Sequence, residues 1–156
     1  MDGAWKERIS IIGTETLGVR GLCCVVSAGE RRILIDPGIA LGYYREGLLP
    51  HPVQIAVGSI VRKNITREVS RATDIVISHF HGDHMPLVYP NPYQLGVEGI
   101  RECLNTRKIW VKDFSRETGK RLQRVRELGD LADLMPVRTD NERHGVMRFH
   151  GPLDHG

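Results

Sequence analysis

Asp74-Ile75-Val76-Ile77-Ser78-His79-Phe80-His81-Gly82-Asp83-His84 is the stretch on which the reading of this chain turns. Its first five residues are a short β-branched run bounded by polar side chains, which predicts a buried strand from Asp74 to Ser78. A helix over the same residues is disfavoured by the run's length and its β-branching. The strand ends where three imidazoles and a carboxylate begin, a set that suits a pair of metal ions. Neutral imidazole nitrogen and carboxylate oxygen are borderline donors that favour zinc, with iron or manganese as alternatives, at bond lengths of roughly 2.0–2.2 Å. In extended backbone alternate side chains share a side, so His79 and His81 can meet one ion while Asp83 and His84 turn toward a second. Gly82, tolerant of positive φ, supplies the bend. A histidine-rich surface loop is the bland alternative, and donor type, spacing and position at a strand end favour the metal centre.

Upstream, Glu7 to Ile12 reads as a strand, and the glycine-punctuated turn GTETLGVRG leads into a second strand, Leu22 to Ser27. Ala28-Gly29-Glu30-Arg31 has the composition of a hairpin turn, with Arg32 to Ile35 as the returning strand. Asp36-Pro37-Gly38 stops that strand and leaves a carboxylate at its end. Apolar residues at Val53, Val57, Ile60, Val61, Ile65 and Val69 predict an amphipathic helix over Val53 to Val69, crossing to the motif strand. Ile55 falls off this stripe, and Gly58 weakens the helix interior. No role follows for His51, in the sequence Pro50-His51-Pro52.

Downstream, Pro86, Pro90 and Pro92 forbid a long helix, so MPLVYPNPYQLG is expected as a loop that walls the site. Lys108 to Lys112 reads as a strand. Leu122, Val125, Leu128 and Leu131 mark the core stripe of a helix over Ser115 to Leu131, whose basic residues read as a solvated face rather than a phosphate-docking surface. Leu134 to Arg138 and Val146 to His150 are expected to form a final hairpin around DNERHG. Strands, helix, strand, helix and strands in this order predict a mixed sheet with helices packed on it.

With 156 residues, 40% of them hydrophobic and 26% charged, the composition is that of one globular domain. A formal charge of +3 is too small to announce nucleic-acid binding without a localised patch. The N-terminal MDGAWKERIS lacks the apolar segment of a signal peptide, and no apolar run approaches membrane-spanning length, so a soluble, cytoplasmic protein without membrane partners is expected. Cys23, Cys24 and Cys103 form no CxxC pair, and their odd number argues against a disulfide framework. Cys23 and Cys24 lie in an apolar strand, so core packing is expected for at least one of them, and none of the three is assigned chemistry.

ILIDPG ending one strand and DIVISHFHGDH ending another, beyond a helix, resemble the metallo-β-lactamase superfamily of metal-dependent hydrolases. LGVRGL, DPGIALGYYREGLLPHP and WVKDFSRETGKRLQRVREL look like a largely archaeal branch of it. The resemblance implies a four-layer αββα sandwich made of two similar halves, with two metals at the sheet edges. It implies His79 and His81 on the first ion, Asp83 and His84 on the second, and Asp36 orienting the metal loop from behind its ligands. The terminal GPLDHG resembles the branch's ending and points to His155 as a further ligand of the first ion, with His150 as its rival.

Members of that superfamily continue into a second half that supplies a bridging carboxylate and a last histidine, whereas this chain stops at Gly156. A truncated fragment, one subunit of a split enzyme, or a homodimer that covers the exposed sheet are the three explanations, the first two favoured. The expected activity is metal-dependent hydrolysis with a metal-activated water, aided by Asp83, on a phosphodiester or another ester. The basic helix tilts weakly toward phosphate-bearing substrates, nucleic acid included. A non-catalytic metal-binding module needing a partner chain is the alternative, and diiron redox chemistry is disfavoured because redox relatives usually place an acidic residue where His81 stands.

Overall fold

The apolar alternation of the first third of the chain becomes three antiparallel strands, β1 (Ile9–Gly13), β2 (Cys23–Ala28) and β3 (Arg31–Ile35). The computed structural model describes residues 8–44 and 46–137. A long helix, α1 (Pro52–Arg71), then crosses to β4 (Asp74–Ile77), which pairs parallel to β3. After a proline-rich loop come the one-turn helix α2 (Arg101–Leu104), β5 (Lys108–Lys112), α3 (Gly119–Gly129) and β6 (Leu134–Val137). β4, β5 and β6 are mutually parallel, so the six strands lie side by side in sequence order, antiparallel in the first half of the sheet and parallel in the second. Among the described residues no helix is long and apolar enough to cross a membrane.

The parallel register puts Leu34, Ile75 and Ile109 in one row, with Val25 opposite Leu34. These four side chains are at most 1% exposed and are covered by Val61, Ile65 and Val69 of α1 and by Val125 and Leu128 of α3. Each such aliphatic residue contributes roughly 1.5–3 kcal/mol relative to full exposure. The neighbouring row, Ile35, Val76, Trp110 and Met135, faces the other way and is only half-buried. At the β1 edge of that second face Ile9 and Ile11 are 51% and 54% exposed. Helices therefore cover one face of the sheet, and no layer among the described residues covers the other.

Several expectations shift. β1 begins at Ile9 rather than Glu7, which lies outside the described residues, and it runs on to Gly13, where Val61 of α1 comes close enough to exclude a Cβ. The hairpin turn tightens to Gly29 and Glu30, with Ala28 paired to Arg31, because Gly29 takes φ +59°. Two members of the expected α1 stripe, Val53 and Ile60, are 61% exposed, while the off-stripe Ile55 packs against the core and Gly58 is buried against Leu41. The glycine lets that loop approach the helix. α3 starts later than Ser115, because Asp113 Oδ1 accepts from Ser115 N at 2.8 Å in a local turn and Gly119 takes φ +57°. The residues 85–96 do form a loop, pinned by a bridge between Leu87 and Gly96. β6 is described from Leu134 to Val137 and pairs parallel to β5, and Arg138 and the expected hairpin partner, Val146 to His150, lie outside the described residues. Cys23 is buried, with its thiol pKa pushed up by burial, and Cys24 and Cys103 are half-buried and free.

Candidate metal centre

β3 and β4 are adjacent and parallel, so their carboxyl ends bring Asp36 beside the histidine loop although 42 residues separate it from Ser78. Asp36 N still donates to Val76 O at 2.8 Å, after which the backbone turns with Asp36 at φ +49°. Aspartate and asparagine tolerate this left-handed region better than other non-glycine residues. The turn directs a carboxylate that is 9% exposed at the loop: Oδ1 accepts from Ser78 N at 2.7 Å, Oδ2 accepts from Ser78 Oγ at 2.6 Å, and Oδ2 lies 3.0 Å from His84 Nδ1.

The direction of each bond follows from what the groups can do. A carboxylate only accepts, so the Ser78 hydroxyl spends its proton on Asp36 and its oxygen is left to accept from His79 Nδ1, 2.9 Å away. His84 Nδ1 likewise donates to Asp36. Both rings are thereby set in the tautomer that carries its proton on Nδ1 and leaves the Nε2 lone pair unused, which is how a buried carboxylate prepares imidazoles for a metal. Burial, and next the neighbouring His84, lower the His79 pKa, which favours the neutral ring a metal requires.

The rings converge. His79 and His84 have centroids 4.0 Å apart, His79 and His81 4.9 Å apart with an edge-on contact, and His84 Nε2 is 3.8 Å from Asp83 Oδ2. Asp36, His79 and His84 each offer a ligand atom within 4.8 Å of one another, a group able to hold a metal ion. The nearest ring pair is thus His79 with His84, not His79 with His81. His155 and His150 lie outside the described residues. Imidazole nitrogens freed by second-layer hydrogen bonds, with a carboxylate beside them, fit a borderline divalent ion.

Close packing holds the loop in this form. Phe80, between the two histidines, is fully buried against Phe114, and its carbonyl oxygen accepts from Arg124 Nη1 of α3 at 3.2 Å. A Cβ on Gly38 would collide with the backbone of His84 and Met85, and one on Gly21 with the Asp83 carbonyl oxygen. Gly82 does not take positive φ, against expectation. Its missing side chain instead makes room for Gln94 and Leu87 from the loop that follows. Ser78, Arg124, Gly21 and Gly38 escaped the sequence reading. Ser78 directly precedes the first histidine and was the one with a local signal. His51, left without a role, caps α1: its Nδ1 accepts from Val53 N at 3.2 Å while Gln54 Oε1 accepts from His51 N at 3.3 Å.

No family model matches the chain, and no solved structure matches it. Curated relatives do. A UPF0282 protein of Methanosarcina mazei is 48% identical over 150 residues, which is 96% of this chain and 49% of that protein. One from Pyrobaculum calidifontis is 42% identical, covering 93% of this chain and 50% of its own length. One from Thermococcus gammatolerans is 33% identical, covering 83% and 43%. The chain spans about half the length of the curated relatives it matches.

Proposed function

We propose that this chain is the metal-holding half of a hydrolase with the metallo-β-lactamase architecture, acting on a phosphodiester or another ester. The observation that carries the reading is the Asp36–Ser78–His79 and Asp36–His84 hydrogen-bond relay, which leaves two Nε2 lone pairs free in one cluster. A surface loop rich in histidine has no need of a buried carboxylate that fixes its tautomers. His79 and His81, with His155, would hold a first ion, and Asp83 and His84 a second. Zinc suits this donor set, with iron or manganese as alternatives. When bound, such an ion supplies Lewis acidity, which makes water nucleophilic near neutral pH and stabilises developing negative charge on oxygen.

The chain's own residues have distinct tasks. Asp36 and Ser78 set ring orientation and proton position. Asp83, 28% exposed beside His84, would accept a proton from water or ligate the second ion. Phe80 and Arg124 fix the backbone between the first two histidines. The sheet face left uncovered among the described residues supports a second layer, and the relatives' doubled length supports its coming from a further half that completes the ligand set. The test is metal content by mass spectrometry together with turnover of phosphodiester, lactone and thioester substrates. We expect at least one tightly held zinc per chain, lost in His79→Ala and His84→Ala variants. Failure to retain zinc, iron or manganese after reconstitution would overturn the reading, and a bound ion without turnover, in this chain and in a full-length relative alike, would reduce it to a metal-binding module.

A further inference from the structure

A second feature shares the strand edge with the histidine cluster. The 18–21 loop and the segment after Asp36 run together, Arg20 N donating to Ala40 O at 2.8 Å and Ala40 N to Arg20 O at 3.2 Å. Both press on the cluster, at Gly21 and at Gly38. Beyond that seam they open into a cleft of about 510 Å³, within the size range of small-molecule sites.

The chemistry of its lining is specific. Leu48 and Leu49 are 72% and 58% exposed, an aliphatic pair presented to water rather than to the core. Arg20 lines the cleft, and its guanidinium makes no hydrogen bond or ion pair among the described residues. His51 and Gln54 line it too, and their bonds settle their polarity. His51 Nδ1 accepts from Val53 N, so the neutral ring carries its proton on Nε2, and Gln54 uses its carbonyl oxygen on His51 N, which leaves the amide NH₂ to donate. Three donors, one of them a cation, thus stand beside an apolar wall, with the Glu46 carboxylate as the opposing charge.

We propose that this cleft binds the anionic end group and short apolar arm of the substrate, a carboxylate or phosphate ester whose labile bond is presented to the adjacent histidine cluster. The assignment of the bound molecule as substrate rests on the hydrolase reading, whereas the binding chemistry does not. Arg20 takes the anion, Leu48 and Leu49 take the arm, and Glu46 selects against excess negative charge.

The experiment is a ¹H–¹⁵N NMR titration of the 156-residue chain with hexanoate, with hexyl phosphate and with neutral hexanamide, a readout that involves neither turnover nor metal. We expect saturable shifts centred on Arg20, Gly42 and Gln54 with at least one anion, and the tighter anion identifies the end group. Arg20→Gln should weaken that binding about tenfold, the scale of one lost charge-assisted bond. Glu46→Gln should tighten it, and Leu48→Asp should weaken it. All three side chains are exposed, so dispersed spectra are expected from each variant. Hexanamide binding as tightly as the anions, shifts away from the cleft, or affinities indifferent to Arg20→Gln would each overturn the proposal. Anion binding by this chain, with no ester hydrolysis even by the full-length protein of a relative that binds the same anion, would leave the cleft standing and remove the hydrolase reading instead.

Discussion

Replacing Asp36 with asparagine tests the relay with little disturbance of the backbone, because asparagine also tolerates the left-handed region that Asp36 occupies at φ +49°. The amide oxygen can still accept from Ser78 N, but an NH₂ group then stands where Oδ2 receives Ser78 Oγ and meets His84 Nδ1. Faced with a donor, His84 Nδ1 becomes an acceptor and its proton moves to Nε2, the nitrogen a metal needs. Loss of such a partner costs about 10–100-fold in metal affinity, or roughly 1.4–2.7 kcal/mol. Folding should suffer less in temperature terms than in binding: one or two weakened hydrogen bonds cost about 1–2 kcal/mol, hence about 2–8 °C in Tm for a chain of this size. Asp36→Ala should melt lower still, since alanine at positive φ adds about 1–2 kcal/mol of strain. Chelator competition measures the affinity, metal-free thermal melts the stability, and ¹⁵N shifts of His84 the tautomer. An Asp36→Asn protein that binds zinc within twofold of wild type, or whose His84 keeps its proton on Nδ1, would refute the relay.

Arg124→Met removes the donor to the Phe80 carbonyl while keeping an unbranched apolar stem that ends short of the guanidinium, and should lower stability by about 1 kcal/mol and weaken metal retention in parallel. Unchanged zinc retention against a chelator would show that the loop holds its form without this anchor. Asp74 makes the pH prediction. Burial by itself would raise its carboxyl pKa, but hydrogen bonds from Thr73 and Trp110 and the charge and bond of Arg31 outweigh that and hold it below the usual carboxylate range. A pKa depressed on folding contributes stability above the unfolded value of about 3.9 that disappears as pH falls through the folded one. Asp74→Asn should therefore flatten the loss of stability below about pH 4 in urea titrations, and parallel curves for the two proteins would rule the contribution out.

Strand and helix order was legible because each element carries a local signature: β-branched runs for β3 and β4, a 3.6-residue apolar recurrence for α1 and α3. What periodicity could not supply was which side of α1 meets the sheet. Gly58 lets Leu41 pack against the helix, which rotates Ile60 into solvent and brings Ile55 inward. Within the site, the donors from His79 to His84 stand out by residue type and spacing, and of these the structure gathers His79 and His84 with Asp36. The relay was not legible, because Ser78 matters only through Asp36, and Asp36 reaches it only once β3 and β4 pair. Gly82 was misjudged for a related reason. Sequence suggests that a glycine bends the chain, while Gln94, twelve residues on, decides that it makes room.

The same pairing bears on the half-length of the chain. A strand that faces water on one side alternates apolar with polar residues, whereas Ile33-Leu34-Ile35 and Ile75-Val76-Ile77 are apolar without interruption, the pattern of strands covered on both faces. Helices α1 and α3 cover Leu34 and Ile75. Ile33, Ile35 and Val76 turn to the other face, where Ile9, Ile11 and Trp110 also lie. Completing the burial of half-exposed Ile9 and Ile11 alone would contribute roughly 1 kcal/mol each, before the central rows are counted. A covering layer would also wall the histidine cluster, which opens at the carboxyl edge of those same central strands. If the proposed further half supplies that layer, stability and ligand completion depend on one docking event, and metal retention and resistance to unfolding should rise together when it is added.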